Sequence, residues 1–229
     1  MKNSKHPIEL SIEKNEGFSL SLSMNDNELQ LLRNNIYEQW LYRIQVISPK
    51  IAARIFQEKI SMDDYHLISD DLDHSTIWPK LSRVLSFAFF RDFSKTIFYE
   101  DLEKIFGSFE ISDEENLGWP NLYWRITRPN SPNDIGPLHR DSWFWELNNS
   151  YNRPKYSFKR IKVWIPIYTI IGQNGLLVEP HSQKRMDIRW SSRKMHGINK
   201  PNLEMAKDQI SPILLNVAPG NAVIFNDNL

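Results

Sequence analysis

"YSFKRIKVWIPIYTIIGQNGLLVEP", residues Tyr156–Pro180, decides how this chain is read. Its first sixteen residues are rich in β-branched and aromatic side chains, which suit a pleated, half-buried surface. Gly172-Gln173-Asn174-Gly175 then breaks the run, and Leu176-Leu177-Val178 resumes it. Glycine and asparagine between two apolar runs mark a turn between strands. Downstream, "SPILLNVAPGNAVIFN" (211–226) repeats the pattern as two short apolar runs around the turn Ala218-Pro219-Gly220-Asn221. Upstream, "LYWRITRP" (122–129) alternates and ends at a proline. Several strands joined by Gly/Pro/Asn turns, without helices between them, predict an antiparallel barrel or a double-sheet jelly roll over 120–229.

The first half has a different period. In "NDNELQLLRNNIYEQWLYRIQVI" (25–47), Leu29, Leu32, Ile36, Trp40, Ile44 and Ile47 recur at helical spacing behind a capping Asn25 or Asp26. Ser48-Pro49 restarts a helix, with proline in its first turn. "TIWPKLSRVLSFAFF" (76–90) and "YEDLEKIFG" (99–107) also read as helical, the second closing at Gly107. Residues 24–107 are therefore expected to be mostly helical. Before them, Ile8, Leu10 and Ile12, then Phe18, Leu20 and Leu22, alternate with polar residues around "KNEG" (14–17), which predicts a hairpin or two edge strands over 1–23. No linker separates these regions. The expectation is one domain over 1–229, of α+β or mainly β class: a double-stranded β-helix (jelly-roll) barrel with an N-terminal helical block packed on it.

The bulk numbers exclude some functions. The chain has 229 residues, with Lys+Arg 28 and Asp+Glu 28, so no net basic field favours nucleic acid or an anionic membrane. Asp63, Asp64, Asp70, Asp71 and Asp73 make an acidic run that reads as solvated surface, and Lys184–Lys200 is locally basic. The chain has no cysteine, which excludes disulfides, thiolate metal sites and cysteine nucleophiles and is in keeping with a reducing compartment. "MKNSKHPIELSIEKNEGF" has no apolar core of signal-peptide length, and no stretch reaches the roughly 18 apolar residues of a membrane span. A cytoplasmic protein without nucleic-acid or membrane partners is expected.

One pair carries chemistry. In "GPLHRDSWFWEL" (136–147), His139 and Asp141 are two residues apart. On an extended strand end such residues point to one side, so an imidazole nitrogen and a carboxylate oxygen reach a common ion. Two histidines and one carboxylate on one face of a metal, with open positions opposite, are the ligand set of non-haem Fe(II) oxygenases. The pair alone is weak evidence, because chance supplies this spacing in many chains with 6 histidines. If the strand stays regular, Trp143 and Trp145 share the pair's face, as a wall over the ion or as core.

Four stretches in order place the pair in a wider context: "WRITRPN" (124–130), "LHRDSWF" (138–144), "KVWIPIYTIIGQNGLLVEPHSQKR" (162–185) and "APGNAVIFNDNL" (218–229). From about Leu122 onward the chain resembles the phytanoyl-CoA dioxygenase-like family of Fe(II)- and 2-oxoglutarate-dependent oxygenases. The resemblance implies His139 and Asp141 as two of three iron ligands, with Fe(II) and 2-oxoglutarate as cofactors. It places Trp164 beside the 2-oxoglutarate and Trp124 on the strand before the metal motif; core packing is an equal reading of both. Trp143 and Trp145 are candidates for the substrate side. Oxygen and a small-molecule substrate are the implied partners, and the basic run at 184–200 would favour an anionic, CoA-linked or carrier-linked one. A carboxylate at 141 implies hydroxylation or a related C–H oxidation, since related halogenases carry a small residue there.

Two departures stand out. "PHSQKR" has His181 where the family usually has glycine and Gln183 where it usually has histidine. In relatives, a run like "VIFNDNL" is followed by the distal metal histidine and then by the arginine that pairs with 2-oxoglutarate. Neither lies within 1–229, so both are expected beyond Leu229. Downstream of Asp141, His181 and His196 fall in a rim motif and a polar connection, and both read as surface. The alternative function is a non-catalytic jelly-roll binding protein derived from the same family.

Overall fold

The computed structural model describes residues 5–147, 159–195 and 198–229. Along the chain come α1 (Pro7–Lys14), β1 (Phe18–Ser23), α2 (Asp26–Ile47), α3 (Pro49–Glu58), α4 (His74–Ile77), α5 (Phe87–Phe93), α6 (Ile97–Phe106), α7 (Asp141–Leu147), β2 (Ile161–Trp164), β3 (Leu177–Val178), β4 (Trp190–Met195), β5 (Ile198–Leu203), β6 (Ile213–Leu214) and β7 (Asn221–Asn226). These gather into two compact units. One is Asn25–Ile135; the other joins the chain up to Met24 with Gly136–Leu229. Among the described residues no helix is long and apolar enough to cross a membrane.

The unit of 25–135 is helical because its caps and its apolar stripe agree. The Asn25 side chain accepts from Glu28 N at 3.0 Å, and the Glu28 carboxylate accepts from Asn25 N at 2.9 Å, a capping box that opens α2. Leu29, Leu32, Ile36, Trp40 and Ile44 form the buried face of α2. α3 begins at Pro49, and α6 stops at Gly107, whose φ of 73° favours glycine. The core is aromatic: Tyr65 packs on Trp40 (6.3 Å between ring centres) and on Trp78 (6.1 Å), and Trp78 packs on Trp124 (5.1 Å). The strand expected over 122–129 reduces to one antiparallel bridge, Val84 to Tyr123.

The other unit carries the sheets, all antiparallel: β1-β7-β2, β3-β6 and β4-β5. β7 is central, with β1 on one edge and β2 on the other, and its Ala222, Val223 and Ile224 are fully buried. A strand covered on both faces reads as an uninterrupted apolar run, as "AVIF" (222–225) does. The turn before it is closed by Asn221 N donating to Ala218 O at 3.1 Å, with Gly220 at φ 85°. Val178, Leu215, Val217 and Val223 form a core against which Trp164 and Phe225 pack. The fold is thus a mixture of helix and small antiparallel sheets, and the described strands do not close into a barrel.

Three local expectations are corrected. Residues 7–14 form α1 rather than a strand: Pro7 opens it, His6 and Glu9 make a reciprocal cap, and Ile8 and Ile12, one turn apart, are buried together. The long β run after Tyr156 keeps four strand residues, Ile161–Trp164; its beginning, 156–158, lies outside the described residues, and Pro166, which has no N–H for a ladder, follows β2 closely. The stretch after His139 is α7 rather than strand. Asp141 stands in its first turn, where a carboxylate is favourable, and Trp143 N already donates to Arg140 O at 3.1 Å.

Candidate metal centre

His139 sits just before α7, and its ring is fixed at both nitrogens. Nδ1 lies 2.6 Å from the Pro137 carbonyl oxygen. A carbonyl only accepts, so Nδ1 carries a hydrogen. Nε2 then faces Asp141 Oδ1 at 3.3 Å, while the edge of the Phe144 ring stands perpendicular at 5.0 Å between centres. In the neutral tautomer both facing atoms are acceptors, so the arrangement calls for a proton or a cation between them.

Asp141 has a second partner. Lys162 Nζ is 3.7 Å from its Oδ2. Burial alone would push this carboxyl up; the hydrogen bond from His139 and the charge of Lys162 outweigh it and hold Asp141 below the usual carboxylate range. Asp227, just past β7, behaves in the opposite way. Its burial raises it, Arg160 (3.9 Å) and Lys162 offset that in part, and the charge of Asp141 adds to the rise. Its backbone carbonyl accepts from Ser142 N at 2.9 Å, which ties the first turn of α7 to the end of β7.

The two atoms suit a metal. Octahedral donors about 2.1 Å from an ion stand about 3.0 Å apart when adjacent, close to the 3.3 Å between Nε2 and Oδ1. His139 and Asp141 could therefore hold two neighbouring positions of one divalent cation. Among the described residues no group of three His, Cys, Asp or Glu side chains converges on a single ion.

The helix separates the tryptophans that a strand would have aligned. At 3.6 residues per turn, positions 143 and 145 diverge by about 200°. Trp143 turns inward, buried and stacked on Trp190 at 5.4 Å with 13° between planes. Trp145, one turn from Asp141, lies under the Arg160 guanidinium at 4.5 Å and near Lys162 at 5.9 Å. Trp164 shares a strand face with Lys162, two residues away on β2, and packs on the Val178–Val223 core. Trp124 belongs to the unit of 25–135, where its indole N–H donates to Gln39 Oε1 at 2.7 Å.

Sequence reasoning missed Lys162, Arg160 and Asp227. Lys162 had a readable signal: a lysine inside an apolar strand, in phase with Trp164. Arg160 and Asp227 had none, since only the β2–β7 register, Ile161 opposite Asn226, brings their ends together. His181 turns toward α1: its Nδ1 is 2.8 Å from Asn15 O. His196 lies outside the described residues.

A family model described as phytanoyl-CoA dioxygenase (PhyH) matches residues 36–229. No curated protein and no solved structure matches the chain.

Proposed function

The chain belongs to the phytanoyl-CoA dioxygenase family, a family of the Fe(II)/2-oxoglutarate oxygenase type, and from that premise we propose that it oxidises a C–H bond of a small-molecule or carrier-linked substrate. The observation that carries the reading is the 3.3 Å approach of His139 Nε2 to Asp141 Oδ1, with Nδ1 engaged by a carbonyl. A metal-ligating histidine is fixed in this way, its second nitrogen donating to an oxygen that sets the tautomer. In the same reading the small antiparallel sheets are parts of a jelly-roll scaffold, and the protein works in the cytoplasm.

Bound at this pair, Fe(II) would supply oxidation of the substrate C–H bond by oxygen, coupled to conversion of 2-oxoglutarate to succinate and CO2. The chain's own groups prepare the site. Pro137 O holds the His139 ring so that Nε2 is presented. The charge of Lys162 favours the ionised form of Asp141, so a carboxylate faces the ion. Lys162 engages Oδ2, which leaves Oδ1 for the ion. Trp145 and Trp164, both beside Lys162, are the aromatic residues we assign to the cosubstrate and substrate surroundings. Core packing is the better reading of Trp124 and Trp143, whose partners are Gln39 and Trp78 in one case and Trp190 in the other.

Anaerobic titration of the full-length protein with Fe(II), followed by succinate detection on admitting oxygen, tests the proposal. Binding and 2-oxoglutarate turnover are expected in the parent, and both should be lost in His139→Ala and Asp141→Ala. Iron binding that survives both substitutions would sink it.

A further inference from the structure

Arg140 stands between the two residues of the pair, and its side chain goes elsewhere. Its Nη2 donates to the carbonyl oxygens of Ser182 and Arg185, the latter at 3.0 Å. These belong to the one-turn segment Ser182–Lys184 and the residue that closes it. The same turn is held on its other side by the end of α1. His181 N donates to Glu16 O at 2.8 Å, His181 Nδ1 and Gln183 Nε2 reach Asn15 O at 2.8 and 3.0 Å, and Lys184 Nζ donates to Lys14 O. The two residues that depart from the family pattern, His181 and Gln183, are thus among those that bind the turn to α1. Lys159 holds α1 in addition, at 3.1 Å from Glu9 and 2.7 Å from Glu13.

The energetics of Arg140 are unfavourable for a residue that only packs. It is half-buried, forms no ion pair among the described residues, and leaves its buried Nε without a hydrogen-bond partner among them. A half-buried cation gives up hydration that its contacts restore only in part, which lowers its contribution to stability. What it gains is geometric. One guanidinium nitrogen, Nη2, meets two carbonyls of a single turn with its N–H directions fixed by the planar group, whereas the donors of an ammonium rotate about its stem.

We propose that Arg140 is a positioning residue for the metal pair: it clamps the backbone between His139 and Asp141 to the turn at 182–185, so that Nε2 and Oδ1 stay within reach of one ion. This rests on the reading of His139 and Asp141 as metal ligands.

Co(II) is the probe, titrated into full-length protein, with its visible d–d spectrum, its dissociation constant and the thermal midpoint of the metal-free chain measured on each variant. Arg140→Met is expected to bind Co(II) about 10- to 100-fold more weakly, the range for residues that orient metal ligands. Arg140→Lys, which keeps charge and stem, is expected to retain the parental midpoint yet bind more weakly with a shifted Co(II) band; it carries the test if Arg140→Met does not fold. Parental affinity and spectrum in the folded variants would overturn the inference and leave the metal pair standing. So would a fall in midpoint with the spectrum unchanged, which marks a merely structural residue. A parent that does not bind Co(II), or binding that persists in His139→Ala, would remove the pair and the inference together.

Discussion

His181 shows how a single backbone angle explains a residue type. Its φ is 64°, in the left-handed region, at the position where the resemblance expects glycine. A non-glycine residue there bears a Cβ cost of about 1 kcal/mol or more. The Nδ1 contact to Asn15 O offsets part of it. His181→Ala and His181→Gly both lose that contact, but only glycine relieves the backbone. The glycine variant is therefore expected to be the more stable of the two by about 1 kcal/mol, read from urea midpoints at equal slope. An alanine variant of equal or greater stability would contradict the left-handed assignment. At His139 the sequence named the residue and its partner. It could not show which nitrogen faces Asp141, because Pro137 O fixes that choice.

At the scale of elements, legibility followed the agreement of local signals. α2 was readable: its apolar spacing and its cap at Asn25 point to one helix, and Glu28 extends the cap into the fold. Besides closing the capping box, Glu28 Oε1 accepts from Phe98 N at 2.8 Å, so one buried carboxylate joins the starts of α2 and α6. Glu28→Ala leaves buried donors unpaired and is expected to lower stability by about 2 kcal/mol, seen in the chemical denaturation midpoint; a shift below about 0.5 kcal/mol would show that the carboxylate is dispensable. α1 is ambiguous in the sequence because positions 8, 10 and 12 satisfy period two, while 8 and 12 also satisfy one helical turn. Pro7 and the His6–Glu9 cap decide between them. The β4–β5 hairpin gave little signal, since "WSSRKM" and "INKPNL" carry few apolar residues in phase. It is defined by its pairing and by Trp190 lying on Trp143.

At the scale of the whole molecule, acid sensitivity follows from a buried cluster in the 25–135 unit. His74 Nδ1 meets Tyr65 Oη at 3.2 Å, Nε2 lies 3.6 Å from Asp134 Oδ2, and Arg128 donates to both Asp134 oxygens at 2.9 Å. Burial lowers the His74 pKa below its usual 6.5, and Arg128 and Arg83 oppose the pull of Asp134 and Asp73 in the other direction. As pH falls through about 6.5 the unfolded chain takes up a proton before the folded one, so stability declines until His74 titrates in the fold. The parent is expected to lose more stability between pH 7 and 5 than His74→Gln does. Equal slopes in isothermal denaturation would refute this. What the sequence by itself determined here is local: the helical period of α2, the apolar run of β7, the turn at 218–221 and the His139–Asp141 spacing, each set by neighbours within a few residues. What the tertiary structure alone decided is everything that depends on distant partners. The pairing of β1 and β2 on either side of β7, the meeting of Arg160 with Asp227, the approach of Lys162 to Asp141 and the clamp of Arg140 on the turn at 182–185 all join residues far apart in the chain. Spacing along one segment says nothing of which charge or carbonyl a long side chain will meet across a fold.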